Sequence, residues 1–229
     1  NLGGWLVLEK WMTPTLFRGT DAVDEYTFLQ TPGAHTKLRE HQKKFIREAD
    51  FKWLAQHGIE AVRIPVGYWI LQGDSPFIAC IERLDWAFSM AERYKLKVLV
   101  CLHGAPGSQN GHDHSGRVGK ANWYKNAVYR ERTIDILERL ATRYRDRACF
   151  WGIELMNEPK TALFQLKLRE FYHQAYARLA VIVRPETAIV FSDAFTPRLL
   201  NAAIGATKPP VIMDVHWYHC AFWAHKWAP

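Results

Sequence analysis

Gly58-Ile59-Glu60-Ala61-Val62-Arg63-Ile64-Pro65-Val66 opens on a helix stop and runs straight into a β-rich segment. Before it, Thr36 to His57 carries apolar residues at Leu38, Phe45, Ile46, Ala49, Trp53 and Leu54, close to a helical period. One helix is predicted there, ended by Gly58. After it the same order recurs. Leu84, Ala87, Phe88, Ala91 and Tyr94 predict a helix before a strand over Lys97 to His103. Ile134, Leu137, Leu140, Ala141 and Tyr144 predict one before Cys149 to Met156. Phe164, Leu168, Phe171, Tyr172, Ala175 and Leu179 predict one before Ala188 to Ser192, and a shorter turn or helix near Leu199 to Ile204 precedes Val211 to His216.

Helices alternating with apolar strands imply a parallel sheet covered on both faces. An open doubly wound sheet and a (β/α)8 TIM barrel both fit that grammar. A doubly wound nucleotide binder carries a Gly-rich turn after its first strand. Here Gly3-Gly4 leads into Trp5, Leu6 and Val7, which is no phosphate cradle. Polar residues close nearly every strand instead: Arg63, His103, Asn157 with Glu158, Asp193 and His216. A barrel gathers its strand ends around one axis, so these side chains would converge. The expected fold class is α/β, a (β/α)8 TIM barrel, with residues 1–229 as a single domain.

Composition narrows the function classes. Hydrophobic residues make up 48% of the 229, enough for one sizeable core. Aromatics reach 14% with ten tryptophans, and such rings serve as flat platforms for sugars as well as core filler. The formal charge of +7 raises nucleic acid as a partner, but the basic residues do not cluster cleanly. Lys37 to Lys52 interleaves them with Glu40, Glu48 and Asp50, and Arg130 to Arg147 with Glu131, Asp135, Glu138 and Asp146. Both read as solvated helix faces with i,i+4 pairing, and no nucleic-acid partner is expected. No run is long and apolar enough to span a bilayer. Cys80, Cys101, Cys149 and Cys220 are widely spaced, and neither a disulfide framework nor a reducing compartment follows from them.

The strongest motif is Trp151-Gly152-Ile153-Glu154-Leu155-Met156-Asn157-Glu158-Pro159. Pro159 cannot donate to a ladder, so the strand terminates there and delivers Glu158 at the barrel mouth. Glycoside cleavage uses such a carboxylic acid to protonate the departing oxygen and then as a base toward water. Asn157 beside it is a neutral donor suited to a sugar 2-hydroxyl. Arg63, inside an apolar strand, needs a partner. It either sits against a catalytic carboxylate and keeps it ionised, or forms a structural pair with a strand neighbour such as Glu154. His103 ends a strand and enters the polar loop Gly104 to Gly119, and His216 with Tyr218 closes the last strand. Gly111-His112-Asp113-His114, and His216 with His219, Cys220 and His225, have metal-like composition. Polar loop residues are the preferred reading of both, and no metal or cofactor is expected.

Taken in order, Asn1-Leu2-Gly3-Gly4-Trp5-Leu6-Val7-Leu8-Glu9, Arg63-Ile64-Pro65, His103-Gly104-Ala105-Pro106-Gly107-Ser108-Gln109-Asn110-Gly111, Asn157-Glu158-Pro159, and His216 with Tyr218 resemble glycoside hydrolase family 5. The opening segment and the His103 loop are similar to its exo-β-1,3-glucanase branch. The resemblance implies a retaining β-glycosidase acting on a β-glucan or oligosaccharide, outside the cell or in the cell wall. It assigns Glu158 as acid/base and Asn157 as the partner of the 2-hydroxyl. Arg63 and His103 become barrel-floor residues around the reacting sugar, and His216 and Tyr218 neighbours of the nucleophile. Glu9 becomes a substrate-binding carboxylate and Asn110 a polar loop residue at the pocket.

The family's nucleophile is a second glutamate at the end of a seventh strand. Six strands are expected here, counting the opening segment, or about six of the eight barrel units. The chain is therefore expected to be clipped at both ends, with the nucleophile beyond Pro229. Sister specificities for β-1,6-glucan, a β-glucosyl lipid or sterol, or β-1,4-glucan share the same motifs. A non-catalytic carbohydrate-binding barrel is the alternative from another class; the intact Asn157-Glu158 pair argues against it.

Overall fold

The computed structural model describes residues 1–160, 165–200 and 208–218. Helices α1 (Pro14–Phe17), α2 (Glu25–Phe28), α3 (Ala34–Lys44) and α4 (Glu48–Gln56) precede β1 (Ala61–Gly67). Then follow α5 (Ile81–Arg93), β2 (Lys97–Gly104), α6 (Ala127–Tyr144), β3 (Phe150–Glu154), α7 (Gln165–Ala180), β4 (Ala188–Ser192), α8 (Pro197–Leu200) and β5 (Val211–Asp214). The strands pair parallel in the order β1-β2-β3-β4-β5. No strand among the described residues returns to the far side of β1. The sheet is thus wound in one sense, as in a barrel, whereas a doubly wound sheet reverses direction at its switch point.

Two expectations about elements need correction. The opening segment is not a sixth strand. Leu2 N–H reaches Arg63 O at 2.9 Å, but Gly4 then turns into the left-handed region (φ +68°), and Glu9 O closes a turn on the N–H groups of Met12 and Thr13. Trp5 to Leu8 are buried by packing without a ladder. The helix expected over Thr36 to His57 is two helices. Arg47 takes an extended conformation (φ −125°, ψ 167°), and the Asp50 carboxylate accepts its N–H at 2.7 Å, capping a fresh start for α4. Ile204, in the short helix expected near Leu199, lies outside the described residues.

The core lies between the sheet and its helices. Ile64, Val66, Val98, Val100, Leu102, Ile153 and Ile189 meet Phe88, Leu137, Leu140, Phe171 and Leu179 there, all essentially inaccessible. Each such side chain contributes about 1.5–3 kcal/mol on burial. A second cluster joins Val7, Leu8, Phe17, Phe28 and Leu38 to Trp69 and Phe77, fastening the N-terminal segment over the first strand-helix loop. The mixed charges of α6 pair mainly across helices and not within one. Arg143 bonds Asp85, Arg147 bonds Glu92, and Arg178 gathers Glu131, Asp135 and Glu138. Helices that neighbour each other around a barrel bring these side chains closer than a single helix face does.

Glu25 is a buried carboxyl with one hydrogen bond, Leu8 N–H to Oε2 at 2.7 Å, and an Oε1 that has no partner. Burial raises its pKa to about 8, outweighing the Leu8 N–H and the nearby Trp69 indole, and the adjacent Asp24 adds to the rise. The unfolded chain releases this proton near the ordinary carboxylate value. Between there and about 8 the folded state therefore holds more protons, and stability falls as pH rises. Glu25→Gln keeps an acceptor for Leu8 and removes the ionisation. The loss of melting temperature from pH 5 to pH 8.5 is expected to shrink in the variant. An unchanged pH dependence would show that Glu25 is not held protonated.

Candidate active site

The strand ends meet over the sheet, and Glu158 stands among them. β3 ends at Glu154, earlier than Pro159, but two further sheet-like bonds carry the chain on. Leu155 N–H reaches Val190 O at 2.8 Å and Asn157 N–H reaches Leu102 O at 2.9 Å. Glu158 then adopts φ +42°, a left-handed conformation that costs a glutamate about 1–3 kcal/mol. The loop after β2 holds it there. Gln109 Nε2 donates to both His103 O and Asn157 O, and Asn110 Nδ2 donates to Glu158 O at 3.0 Å. Gly111 makes the loop possible. It sits at φ +81° with no room for a Cβ against the Gly119 carbonyl.

The Glu158 carboxylate is largely buried and its two oxygens differ. Oε1 accepts from His216 Nδ1 at 2.6 Å and from Tyr218 OH. Oε2 faces His114 Nδ1 at 3.7 Å. Burial pushes the pKa of Glu158 up, but the bonds from His216 and Tyr218 and the neighbouring imidazoles bring it below the ordinary value. His216 lies between two carboxylates, with Nε2 at 3.1 Å from Asp214 Oδ2. Burial lowers its pKa, yet hydrogen bonds to Asp214 and Glu158 outweigh this and raise it to about 10. At neutral pH it is an imidazolium, donating from both nitrogens. Burial and the bond to Glu158 push the Tyr218 phenol up, so it too remains a donor.

Arg63 settles on Glu154. Its Nε and Nη2 fork onto Glu154 Oε2 and Oε1 at 2.6 and 2.8 Å. Of the two partners expected for it, the structural one, Glu154, is the one it takes: this fully buried carboxylate, across β2 from Arg63, needs the cation more than the partly solvated Glu158 does. Nη2 also donates to Asn157 Oδ1 at 2.9 Å. That bond orients the amide and leaves the buried Asn157 Nδ2 without a partner among the described residues.

Asn110 stands at the site too. Its Oδ1 accepts His112 N–H at 2.9 Å, and Nδ2 serves Glu158 O and His114 Nε2, so its amide braces the loop against Glu158. Glu9 and His103 do come together, with Glu9 Oε1 at 3.8 Å from His103 Nε2. Trp11 Nε1–H donates to Glu9 Oε2 at 2.9 Å. Burial raises the pKa of Glu9 against that bond, helped by the charges of Asp113 and Glu158. Burial, then the charge of Arg63, keeps His103 neutral.

Two participants escaped the sequence reading. In the sequence His114 is one polar residue of a loop among others, and only the loop's path brings it to Glu158. Asp214 carried a signal: it lies two residues before His216 on one extended run, so both point to the same face. Glu9, His103 and His114 bring ligand atoms within 4.8 Å of one another, as do Glu154, Asp214 and His216. A cation at the second set would have to displace the Arg63–Glu154 pair, whereas the first set could accept one with its own neutral imidazoles. His219, Cys220 and His225 lie outside the described residues. Cys80, Cys101 and Cys149 are buried free thiols.

The model of the Cellulase family (glycosyl hydrolase family 5) matches residues 21–186. A probable glucan 1,3-beta-glucosidase A of Emericella nidulans is 42% identical over 230 residues, covering 95% of this chain and 56% of the relative. A glucan 1,3-beta-glucosidase of Pichia angusta is 37% identical over 236 residues, covering 95% and 54%. The chain thus spans about half the length of the curated relatives it matches. Among solved structures, the rutinosidase from Aspergillus niger superposes with a TM-score of 0.84 at 21% identity over 95% of this chain and 68% of that one. An endoglucanase from Thermotoga maritima gives 0.57 at 20% identity, over 76% of this chain and 54% of that one. These likenesses show the fold, a (β/α)8 barrel of which the five strands form an arc. With a family match across most of its length and relatives near 40% identity over nearly all of it, the chain belongs to glycosyl hydrolase family 5.

Proposed function

We propose that the whole protein is a retaining β-glycosidase that hydrolyses β-1,3-linked glucan from a chain end, with Glu158 as acid/base. The observation that carries this is the carboxylate of Glu158, held at φ +42° with two donors on one oxygen and Asn157 Nδ2 unpartnered beside it. In the first step Glu158 gives its proton to the glycosidic oxygen as the bond to the anomeric carbon breaks and a second carboxylate attacks that carbon. In the second step Glu158 takes a proton from water, whose oxygen displaces that carboxylate and releases the sugar. The second carboxylate, about 5–5.5 Å away, comes in this reading from a seventh strand of the whole protein.

The residues support both halves of the cycle. With His216 and Tyr218 on Oε1, Glu158 is ready as the base of the second step. The negative charge of an unreacted second carboxylate would raise its pKa for the first. Asn157 Nδ2 would donate to the 2-hydroxyl, and Glu9 and His103 would line the sugar pocket. Trp11 and Trp217 are exposed beside Glu9 and His216 and offer apolar faces to sugar rings. The specificity for β-1,3 linkage rests on the relatives' names, and the place of action, outside the cell or in its wall, on where such glucan lies. No helix among the described residues is long and apolar enough to cross a membrane.

The test is hydrolysis by the whole protein of β-1,3-, β-1,4- and β-1,6-linked glucose oligosaccharides, with the first-formed anomer read by proton NMR. Glucose released as the β-anomer, fastest from the β-1,3 substrate, is the expected result. Release of the α-anomer would overturn retention, and a faster β-1,4 or β-1,6 substrate would overturn the specificity.

A further inference from the structure

The asymmetry of the Glu158 carboxylate leads to His114. Among the described residues no hydrogen bond reaches Oε2, so this oxygen is the one free to exchange a proton with a substrate. What lies opposite it is His114 Nδ1, at 3.7 Å, too long for a hydrogen bond. The protonation of that imidazole follows from its neighbours. Asn110 cannot be turned over, because its Oδ1 accepts His112 N–H and its Nδ2 donates to Glu158 O. The second Nδ2 hydrogen therefore points at His114 Nε2, 2.8 Å away, which must be an acceptor. A neutral ring that accepts at Nε2 carries its hydrogen on Nδ1. The ring is mostly buried, edge-on to His103 (centroids 5.4 Å apart) and to His112 (5.5 Å), which leaves it little freedom to rotate.

We propose that His114 is a positioning residue for Glu158, locked by Asn110 as the tautomer that turns an N–H, and no acceptor, toward Oε2. The proposal rests on Glu158 being the acid/base. Its consequence is directional. A proton on Oε2 cannot be handed to His114, because two donors would face each other, and so it stays available to the leaving group. Once Oε2 is bare, the same N–H attracts it and returns the carboxylate to its starting place for the attack of water. The opposite tautomer would turn a lone pair toward the catalytic proton and compete with the substrate for it.

Electrostatics agree with this state. Burial lowers the pKa of His114, countered by Glu158 and Asp113 and assisted by His112 and His216. His103 is also neutral, and Glu9, Arg63 and Tyr218 are further ionisable groups of the site.

The experiment uses the whole protein, with nitrogen-15 NMR of its imidazoles and carbon-13 NMR of the Glu158 carboxyl. His114 is expected to show an unprotonated Nε2 and protonated Nδ1 at pH 7 to 8. His114→Ala is expected to raise the pKa of Glu158 by about half a unit or more, as loss of an N–H dipole turned toward the ionised form does. The basic limb of kcat/KM should move up with it, and kcat should fall more than KM rises. His114→Gln, which can present an N–H to Oε2, should restore the limb in part. A protonated Nε2, a charged ring in that range, or an unmoved Glu158 titration in a folded His114→Ala protein would overturn the proposal. The two titrations need no turnover. They can therefore fail or succeed separately from the acid/base assignment, which Glu158→Gln tests.

Discussion

Glu158→Gln in the whole protein is expected to lower kcat on a β-1,3-linked glucose oligosaccharide by about 10²–10⁴-fold, with KM changed by only about a few-fold. Gln fills the same space, and its amide can still meet one of the two donors on Oε1. It can neither give nor take the catalytic proton. The effect must depend on the leaving group. An aryl glucoside with an acidic phenol departs with little protonation, so its first step should be nearly spared and the second step should become limiting. A burst of phenol followed by slow turnover is the expected trace. Equal losses for good and poor leaving groups would remove Glu158 from the acid/base role.

Removal of Glu154 should have the largest effect on stability. The side chain is fully buried and receives a two-pronged hydrogen bond from Arg63, whose own side chain is only 15% exposed. Glu154→Leu leaves that guanidinium without its counter-charge and is expected to cost about 3–5 kcal/mol in chemical denaturation. The double variant Arg63→Met, Glu154→Leu should recover most of the loss, because the desolvation of both charges disappears with them. Activity should not return in the double variant, since Arg63 also orients the Asn157 amide at 2.9 Å. Recovery of activity together with stability would mean that the Asn157 orientation is held by other contacts. Additive losses in the double variant would mean that Arg63 and Glu154 act independently.

The two effects separate two kinds of carboxylate on one short segment. Glu154 and Glu158 are both glutamates near the end of β3, and only their surroundings distinguish them. Glu154 faces a cation in a dry interior and is bound to it on both oxygens. Glu158 meets donors on one oxygen and leaves the other open, as proton transfer to a bound molecule demands.

The alternation of helix and strand, and the residues at the strand ends, were legible in the sequence because burial imposes periodicity and a parallel strand ends at one side of the sheet. Ile59 to Val66, Lys97 to His103 and Ala188 to Ser192 coincide closely with β1, β2 and β4. The motif Asn157-Glu158-Pro159 identified the central carboxylate for the same reason. The boundary between α3 and α4 was not legible, because it depends on a single capping contact from Asp50 that the apolar pattern runs across. The opening segment looked like a strand because its residues are buried, but burial alone does not make a ladder. Partner choice was decided only in three dimensions. Whether Arg63 meets Glu154 or Glu158, and that Asn110 braces the backbone of Glu158 and the ring of His114, depend on contacts between residues 4 to 94 positions apart. Local propensity constrains the chain over a turn or a strand. Hydrogen-bond direction and charge pairing between distant segments are settled by the packing that brings them together.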